Sequence, residues 1–258
     1  MSRTYLVTGA SSGIGKATAA LLRTRGHTVI GADLKDSDIS ADLSTAEGRA
    51  VLVSRARELS GGRLDAVIAC AGVAQPDPLT IKINYFGAVA TLEGLRPLLA
   101  AGTDPRALVI SSIDSVHPTD SAIVDAALTG DEEAAVVASR AAVDRGEGQL
   151  VYSSSKAAVS RWIRRAAVTD DWAGAGIPLN AVGPGVIVTP MIQPMLDDPA
   201  MRKLVEQSVP MPLHGYARPE QIAPLIDWLT SPENTHVTGQ VVFVDGGADA
   251  VLRGDRTW

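Results

Sequence analysis

The sequence predicts an α/β domain, a parallel sheet with helices packed on both of its faces. Short apolar runs alternate with helical patterns along the chain, as in a succession of βαβ units. Of the 258 residues 46% are hydrophobic and only 4% aromatic, so the core is built from Ala, Val, Leu and Ile, which suits strands buried on both sides. The N-terminal part reads as strand, glycine-rich turn, helix, strand.

Thr4–Thr8 is the first strand. Gly9, Gly13 and Gly15 follow, then Lys16–Arg25, Ala-rich and helical, stopped by Gly26. His27–Asp33 is the second strand. Glycines in this place allow a tight turn, let the backbone approach a ligand and let the helix start close to the strand. The free N–H groups at the helix N-terminus then face a pyrophosphate. Asp33, ending the second strand, is placed to accept hydrogen bonds from both hydroxyls of an adenosine ribose. The same carboxylate repels a 2′-phosphate, and neither Ser12 nor Leu34 offers a cation to offset it. The prediction is therefore NAD rather than NADP, with Lys16 and Lys35 the residues that would overturn it by reaching the ribose.

An irregular link ends in Ala41–Ser44. Thr45–Leu59 reads as a helix with Ser44 as N-cap and Glu47 completing a capping box, closed by Ser60, Gly61 and Gly62. Leu64–Cys70 is a third strand, and Ala71 and Gly72 turn at its carboxyl end, where ligands sit in open α/β sheets. Cys70 reads as a buried, inert strand residue. Ile81–Leu99 is a long helical pattern containing Asn84. Ala107–Ser111 is the fourth strand, and Ser111 and Ser112 put hydroxyls at its carboxyl end.

Residues 118–146 are rich in Ala, Asp and Glu, with helices expected near Ala122–Leu128 and Glu132–Asp144. Tyr152–Trp172 is a further long helix and Ile177–Val182 a strand. Residues 186–212 carry Met191, Ile192, Met195, Leu196 and Met201 among Pro190, Pro194, Pro199 and Pro210. Flexible apolar side chains of this kind suit a mobile cover over an apolar ligand. Pro219–Leu229 is a helix with proline in its first turn, and Gln240–Val244 the last strand. No repeat, low-complexity tract or linker interrupts the chain, so residues 1–258 read as one domain.

Composition excludes several function classes. The net charge is −6, and no basic stripe marks a nucleic-acid partner. No apolar run approaches the length of about 20 residues that spans a bilayer, and the start of the chain lacks a signal-peptide layout. The single cysteine precludes an intrachain disulfide and fits a reducing compartment. The expectation is a cytoplasmic protein. No metal ligands are assigned.

Tyr152 and Lys156 stand four residues apart in the helix that follows the acidic segment, so they share one face, one turn apart. A cation beside a phenol favours the phenolate and lowers its pKa. A tyrosine so tuned exchanges a proton near neutral pH, which an ordinary one does poorly.

Together, the run Thr8–Gly15, Cys70–Gly72, Asn84, Ser112, Tyr152 with Lys156, and Pro184–Gly185 resemble the short-chain dehydrogenase/reductase family over essentially the whole chain. Ala41–Arg49, Asn84–Gly87 and Asp245–Val251 look like its bacterial 3α-hydroxysteroid dehydrogenase/carbonyl reductase branch. The resemblance implies a Rossmann-type, doubly wound parallel sheet of about seven strands. It implies Tyr152 as general acid/base and Lys156 as the group that lowers its pKa and binds the nicotinamide ribose. Ser112 would hold the carbonyl or alkoxide oxygen, and Asn84 a water linking Lys156 to solvent. Cofactor contacts would come from Gly9, Ser12, Gly13, Ile14, Asp33, Asp42 at the adenine, Leu43, Ala71, Gly72, Tyr152, Lys156, Pro184, Gly185, Ile187 and Thr189. Ser112, Tyr152, Met191 and Met195 would meet the substrate.

Ser112 and Tyr152 lie 40 residues apart, a much longer gap than most members have, and the 118–146 segment is the extra material. In the family the helix bearing the Tyr commonly forms a tetramer interface, which an inserted helix would block; a homodimer through another surface is expected, with a homotetramer the alternative. The functional expectation is an NAD-dependent enzyme interconverting a secondary alcohol and a ketone on a bulky apolar substrate, a 3α-hydroxysteroid first. Aromatic or terpenoid alcohols are the alternative substrates, and a non-catalytic NAD-sensing protein the alternative of another class.

Overall fold

Alternate residues of each central strand face opposite ways, and apolar side chains fill both directions. In a computed structural model describing residues 2–255, Leu6 of β1 (Thr4–Thr8) enters one core, while Tyr5 and Val7 enter another. Val67 and Ala69 of β4 (Ala66–Ala69) join Leu6, while Ala66 and Ile68 join Tyr5. Strands buried on both faces in this way need helices on both faces. Helix α1 (Gly13–Thr24) covers the second core with Ala19 and Leu22, and α2 (Ala46–Leu59) the first with Leu52 and Ala56. Met1 and residues 256–258, which the reading of one domain over 1–258 includes, lie outside the described residues.

The sheet has seven parallel strands in the order β3-β2-β1-β4-β5-β6-β7. The others are β2 (Thr28–Asp33), β3 (Ile39–Ser40), β5 (Arg106–Ile110), β6 (Leu179–Pro184) and β7 (Val241–Val244). The order reverses between β1 and β4, which opens a crevice at the carboxyl ends of the strands. Reading the residues one by one yields six of these strands. The seventh, β3, is two residues long and follows the polar run Lys35–Asp38, so no apolar alternation marks it. Asp38 folds it back by accepting the Gly31 N–H at 2.8 Å.

Other boundaries differ for identifiable reasons. The N-cap of α2 is Thr45, whose Oγ1 accepts the Gly48 N–H at 3.0 Å. Ser44, the expected cap, lies inside a turn in which its own N–H is taken by Asp42 Oδ1 at 2.9 Å. The pattern expected as one helix over Ile81–Leu99 is instead α3 (Leu79–Ile81), a π-helical turn at Lys82–Gly87 and α4 (Ala88–Ala100). The π turn holds Asn84. The helix of Tyr152 spans Gln149–Ala166, so Tyr152 sits in its first turn rather than starting it.

The acidic segment folds as α5 (Ser121–Thr129) and α6 (Glu132–Asp144), capped by Asp120 and Asp131. Both pack on α7, the Gln149–Ala166 helix, through Ile123, Val124, Ala127, Ala135 and Ala142. Ser153 Oγ donates to the Pro118 carbonyl at 2.7 Å, and Ser154 Oγ accepts the Asp120 N–H at 2.9 Å. After β6 come α8 (Gln193–Asp197) and α9 (Pro199–Ser208), set on a third apolar cluster of Ile113, Val186, Leu196, Val209 and Ala248. Helix α10 (Pro219–Thr230) packs on α1, and α11 (Ala248–Arg253) ends the described chain. No helix among the described residues is long and apolar enough to cross a membrane.

Candidate active site

The glycine turn brings β1 and α1 into closer contact than any side chain permits. A Cβ on Gly15 would lie 2.2 Å from the Gly9 carbonyl oxygen, and Gly9 itself has φ +68°. With the helix this near the strand, its first-turn N–H groups, which have no partner inside the helix, open onto the crevice. At the end of β2, Asp33 accepts the Ser11 N–H at 3.0 Å and the Leu34 N–H at 2.7 Å. Both carboxylate oxygens are thereby aimed by backbone. Asp42 is fixed by Ser44, whose hydrogen bonds hold its carboxyl below the usual carboxylate range. Cradle, bared N–H groups and oriented carboxylates fit a dinucleotide.

One cavity of about 630 Å³ runs along the carboxyl ends of the strands. Gly9, Ser12, Gly13, Ile14, Asp33, Asp42, Leu43, Ala71, Gly72, Pro184, Gly185, Ile187 and Thr189 all line it, and so do Ser112, Tyr152, Lys156, Met191 and Met195. Lys16 and Lys35 are exposed and lie outside that lining. The cover contributes Met201, Leu204 and Val205 as well. Leu204 is 54% exposed and no residue of α9 is buried, so the helix turns apolar side chains to the opening while Val205 also touches the third cluster.

Asn84 alone among the expected site residues does not line the cavity. It sits behind it, its Oδ1 accepting the Val73 N–H and its Nδ2 donating to the Val73 carbonyl, each at 2.9 Å. Nδ2 also donates to Ser155 Oγ at 3.1 Å. This pairing holds the turn after β4. A Cβ on Gly72 would lie 3.0 Å from Asn84 Oδ1 and 3.7 Å from Lys156 Nζ, so the two polar groups converge on the one residue that leaves them room.

Lys156 is buried, donates to the Ile110 carbonyl at 2.9 Å and lies 5.8 Å from the centroid of the Tyr152 ring. Burial lowers its pKa to about 8, against smaller upward pulls from Cys70 and Asp114. Tyr152 corrects an expectation. Desolvation lifts its phenol above the ordinary tyrosine range, Asp114 adds to the rise, and the polar side chain of Ser112 opposes it. The ammonium lies over the ring and is spent on a carbonyl, so in this geometry desolvation outweighs any pull from the cation. Cys70, expected as a buried strand residue, instead follows β4 half-buried and lines the cavity; desolvation still pushes its thiol up to about 12, in keeping with an inert residue.

Sequence reasoning missed Asp114. Ser112 Oγ donates to Asp114 Oδ2 at 2.9 Å and accepts the Asp114 N–H at 3.1 Å. Asp114 Oδ1 faces His117 Nδ1 at 3.2 Å. The hydrogen bond that Asp114 accepts from the ring raises the pKa of His117, as does the Ser208 backbone, while burial opposes both. A place two residues after Ser112 in a short 3₁₀ turn was the one available signal. Gln149, one turn before Tyr152 on α7, also lines the cavity and was not singled out.

Residues 9–249 match a family model described as Enoyl-(Acyl carrier protein) reductase. The chain is 36% identical over 255 residues to the 3-alpha-hydroxysteroid dehydrogenase/carbonyl reductase of Comamonas testosteroni, covering 96% of this chain and 97% of that protein. It is 32% identical over 277 residues to the cis-4-hydroxycyclohexanecarboxylate dehydrogenase of Sinomonas cyclohexanicum, with 96% and 97% covered. Among solved structures it is similar to the 3-alpha-hydroxysteroid dehydrogenase from Pseudomonas sp. B-0831 complexed with NADH. There the TM-score is 0.91 and the identity 39%, over 98% of this chain and 99% of that one.

Proposed function

Because the chain belongs to the short-chain dehydrogenase/reductase family, we propose that it is an NAD-dependent oxidoreductase interconverting a secondary alcohol and a ketone on a bulky apolar substrate, a 3α-hydroxysteroid first. One observation carries this reading. A single cavity joins the glycine turn and Asp33 at one end to Ser112, Tyr152 and Lys156 under an apolar cover at the other.

NAD supplies the hydride acceptor, and the protein handles the oxygen and its proton. Gly9, Gly13 and Ile14 hold the pyrophosphate, Asp33 the adenosine ribose, and Asp42 and Leu43 the adenine. Pro184, Gly185, Ile187 and Thr189 line the nicotinamide end. As the phenolate, Tyr152 Oη takes the hydroxyl proton in oxidation, and as the phenol it returns a proton in reduction. Ser112 holds the same oxygen, stabilising charge as it develops. Lys156 binds the nicotinamide ribose, and Asn84 keeps the gap beside it open for a proton path. Met191 and Met195 close on the apolar body of the substrate. The Comamonas and Sinomonas relatives are named for substrates that carry a hydroxyl on a carbocycle, which supports an alicyclic alcohol over a benzylic or acyclic one.

The test follows NADH absorbance against a panel of steroids, terpenols, benzylic alcohols and an enoyl thioester. Turnover of a 3α-hydroxysteroid, lost by about a thousandfold in Tyr152→Phe with NADH affinity unchanged, is the expected result. Turnover that survives Tyr152→Phe, or reduction of the enoyl thioester with no ketone accepted, refutes the reading. NAD binding with no turnover at all would mark a sensor instead. Since α5 and α6 cover the flank of α7, a homodimer through another surface is the assembly proposed. Light scattering showing a tetramer would overturn that part.

A further inference from the structure

The alcohol–ketone reading assigns no role to the carboxylate nearest the reacting groups. Asp114 lines the same cavity as Ser112 and Tyr152, and its side chain is 33% exposed. Ser112 has one hydroxyl hydrogen, and in this structure it points to Asp114 Oδ2 at 2.9 Å. The returning bond from the Asp114 N–H makes the contact two-way, so the serine rotamer is held from both directions. The other carboxylate oxygen faces His117. Through the Ser208 backbone, that ring also meets the end of the covering helix. The chain Ser112–Asp114–His117 thus ties the oxygen-binding serine to the cover.

Resting on the reading above, we infer that Asp114 is a positioning residue of the reaction: it sets the Ser112 hydroxyl, and its charge sets the pH window in which Tyr152 exchanges its proton. A carboxylate lining the same cavity as the half-buried phenol opposes the phenolate. Few other charges bear on this corner. Lys156 reaches it from α7, the Cys70 thiol sits beside Lys156 at the end of β4, and His117 closes the 3₁₀ turn. From 189–209 the cavity receives Met191, Ile192, Met195, Leu204 and Val205 among others, and no charged side chain. Asp33 and Asp42 lie at the far, adenosine end. When His117 is protonated it partly neutralises Asp114. Once it has lost its proton the carboxylate acts on the phenol undiminished, and that is the state in which the phenol titrates.

The phenol itself is the readout. The phenolate absorbance of NAD-saturated protein is titrated with alkali and differenced against the Tyr152→Phe counterpart. Asp114→Asn keeps an acceptor for Ser112 and removes the charge, and it should lower the Tyr152 midpoint by about one pH unit. Asp125→Asn, an exposed acid on α5, should leave it in place. With a turned-over substrate, the ascending limb of the alcohol-oxidation profile should move down by the same amount. Asp114→Ala should also lose about tenfold in kcat with KM unchanged, a loss that Asp114→Asn recovers. An unmoved midpoint in Asp114→Asn, or an equal shift in Asp125→Asn, overturns the proposal. The titration needs no alcohol, so a panel without turnover refutes the alcohol–ketone reading while this result is still read.

Discussion

Replacing Lys156 with methionine should stabilise the folded chain while abolishing turnover, and the size of the gain follows from burial. The Nζ is held at a pKa of about 8, against about 10.4 in an unfolded chain. At pH 7 the fold therefore carries a penalty of about 3 kcal/mol for confining that charge. Between those two values the unfolded chain binds more protons than the folded one, so the stability of the wild type rises with pH. Below about pH 8 the penalty is complete, and above about pH 10.4 it is gone. Methionine matches the length of the stem and carries no charge. It also leaves the Ile110 carbonyl, which Lys156 now bonds at 2.9 Å, without that donor, at a cost of about 1 kcal/mol. The net gain at pH 7 is about 2 kcal/mol, or about 5 °C in Tm for a chain of this size. Urea melts of both proteins, run from neutral to alkaline pH, check it. The advantage of the variant should shrink and change sign as pH climbs from about 8 to about 10.4. A variant no more stable at pH 7, or a difference that ignores pH, would refute the burial penalty. That would leave Lys156 as an ordinary structural lysine.

Two further perturbations address the cofactor end. Asp33→Ala removes an oriented acceptor and its charge together, so kcat/KM for NAD should fall by about ten- to a hundredfold while that for NADP rises. Steady-state kinetics with both cofactors decide, and an unchanged ratio would mean that Asp33 does not face the ribose. Glu132→Gln loosens Arg49, which bonds Glu132 through both Nη atoms and holds the Leu43 and Lys82 carbonyls. Since Leu43 lines the cavity, at the end proposed for the adenine, KM for NAD should rise several-fold with kcat unchanged, and a fall in kcat alone would contradict this.

The parts of the fold legible in the sequence are those whose signal is local. Strands buried on both faces announce themselves as apolar runs, and the glycine turn does so because Gly15 answers to Gly9 and Thr8 within its own βα unit and Gly9 takes a φ of +68°. Where the cause lies elsewhere, the reading slips. β3 exists because Ala32 and Asp33 offer an open edge, while its own residues carry no pattern. The π turn at Lys82–Gly87 has no mark in its residues. In the structure it presents Asn84 to the backbone of Val73, a partner supplied by the loop after β4.

The same division runs through the site. Many of the side chains that line the cavity were readable, some from their place at strand ends and the rest from the family resemblance. How Tyr152 is tuned was not, because an i,i+4 spacing states a separation along a helix and says nothing of burial. With Lys156 over the ring and drawn to Ile110, desolvation governs the phenol. The charge that adds to that rise belongs to Asp114, which reaches the site from another element, by way of the turn that Ser112 caps. A catalytic tyrosine is thus specified by its sequence neighbours in position and by its spatial neighbours in proton affinity. Substitution at 114 should therefore move the pH dependence without moving the residues that line the cavity.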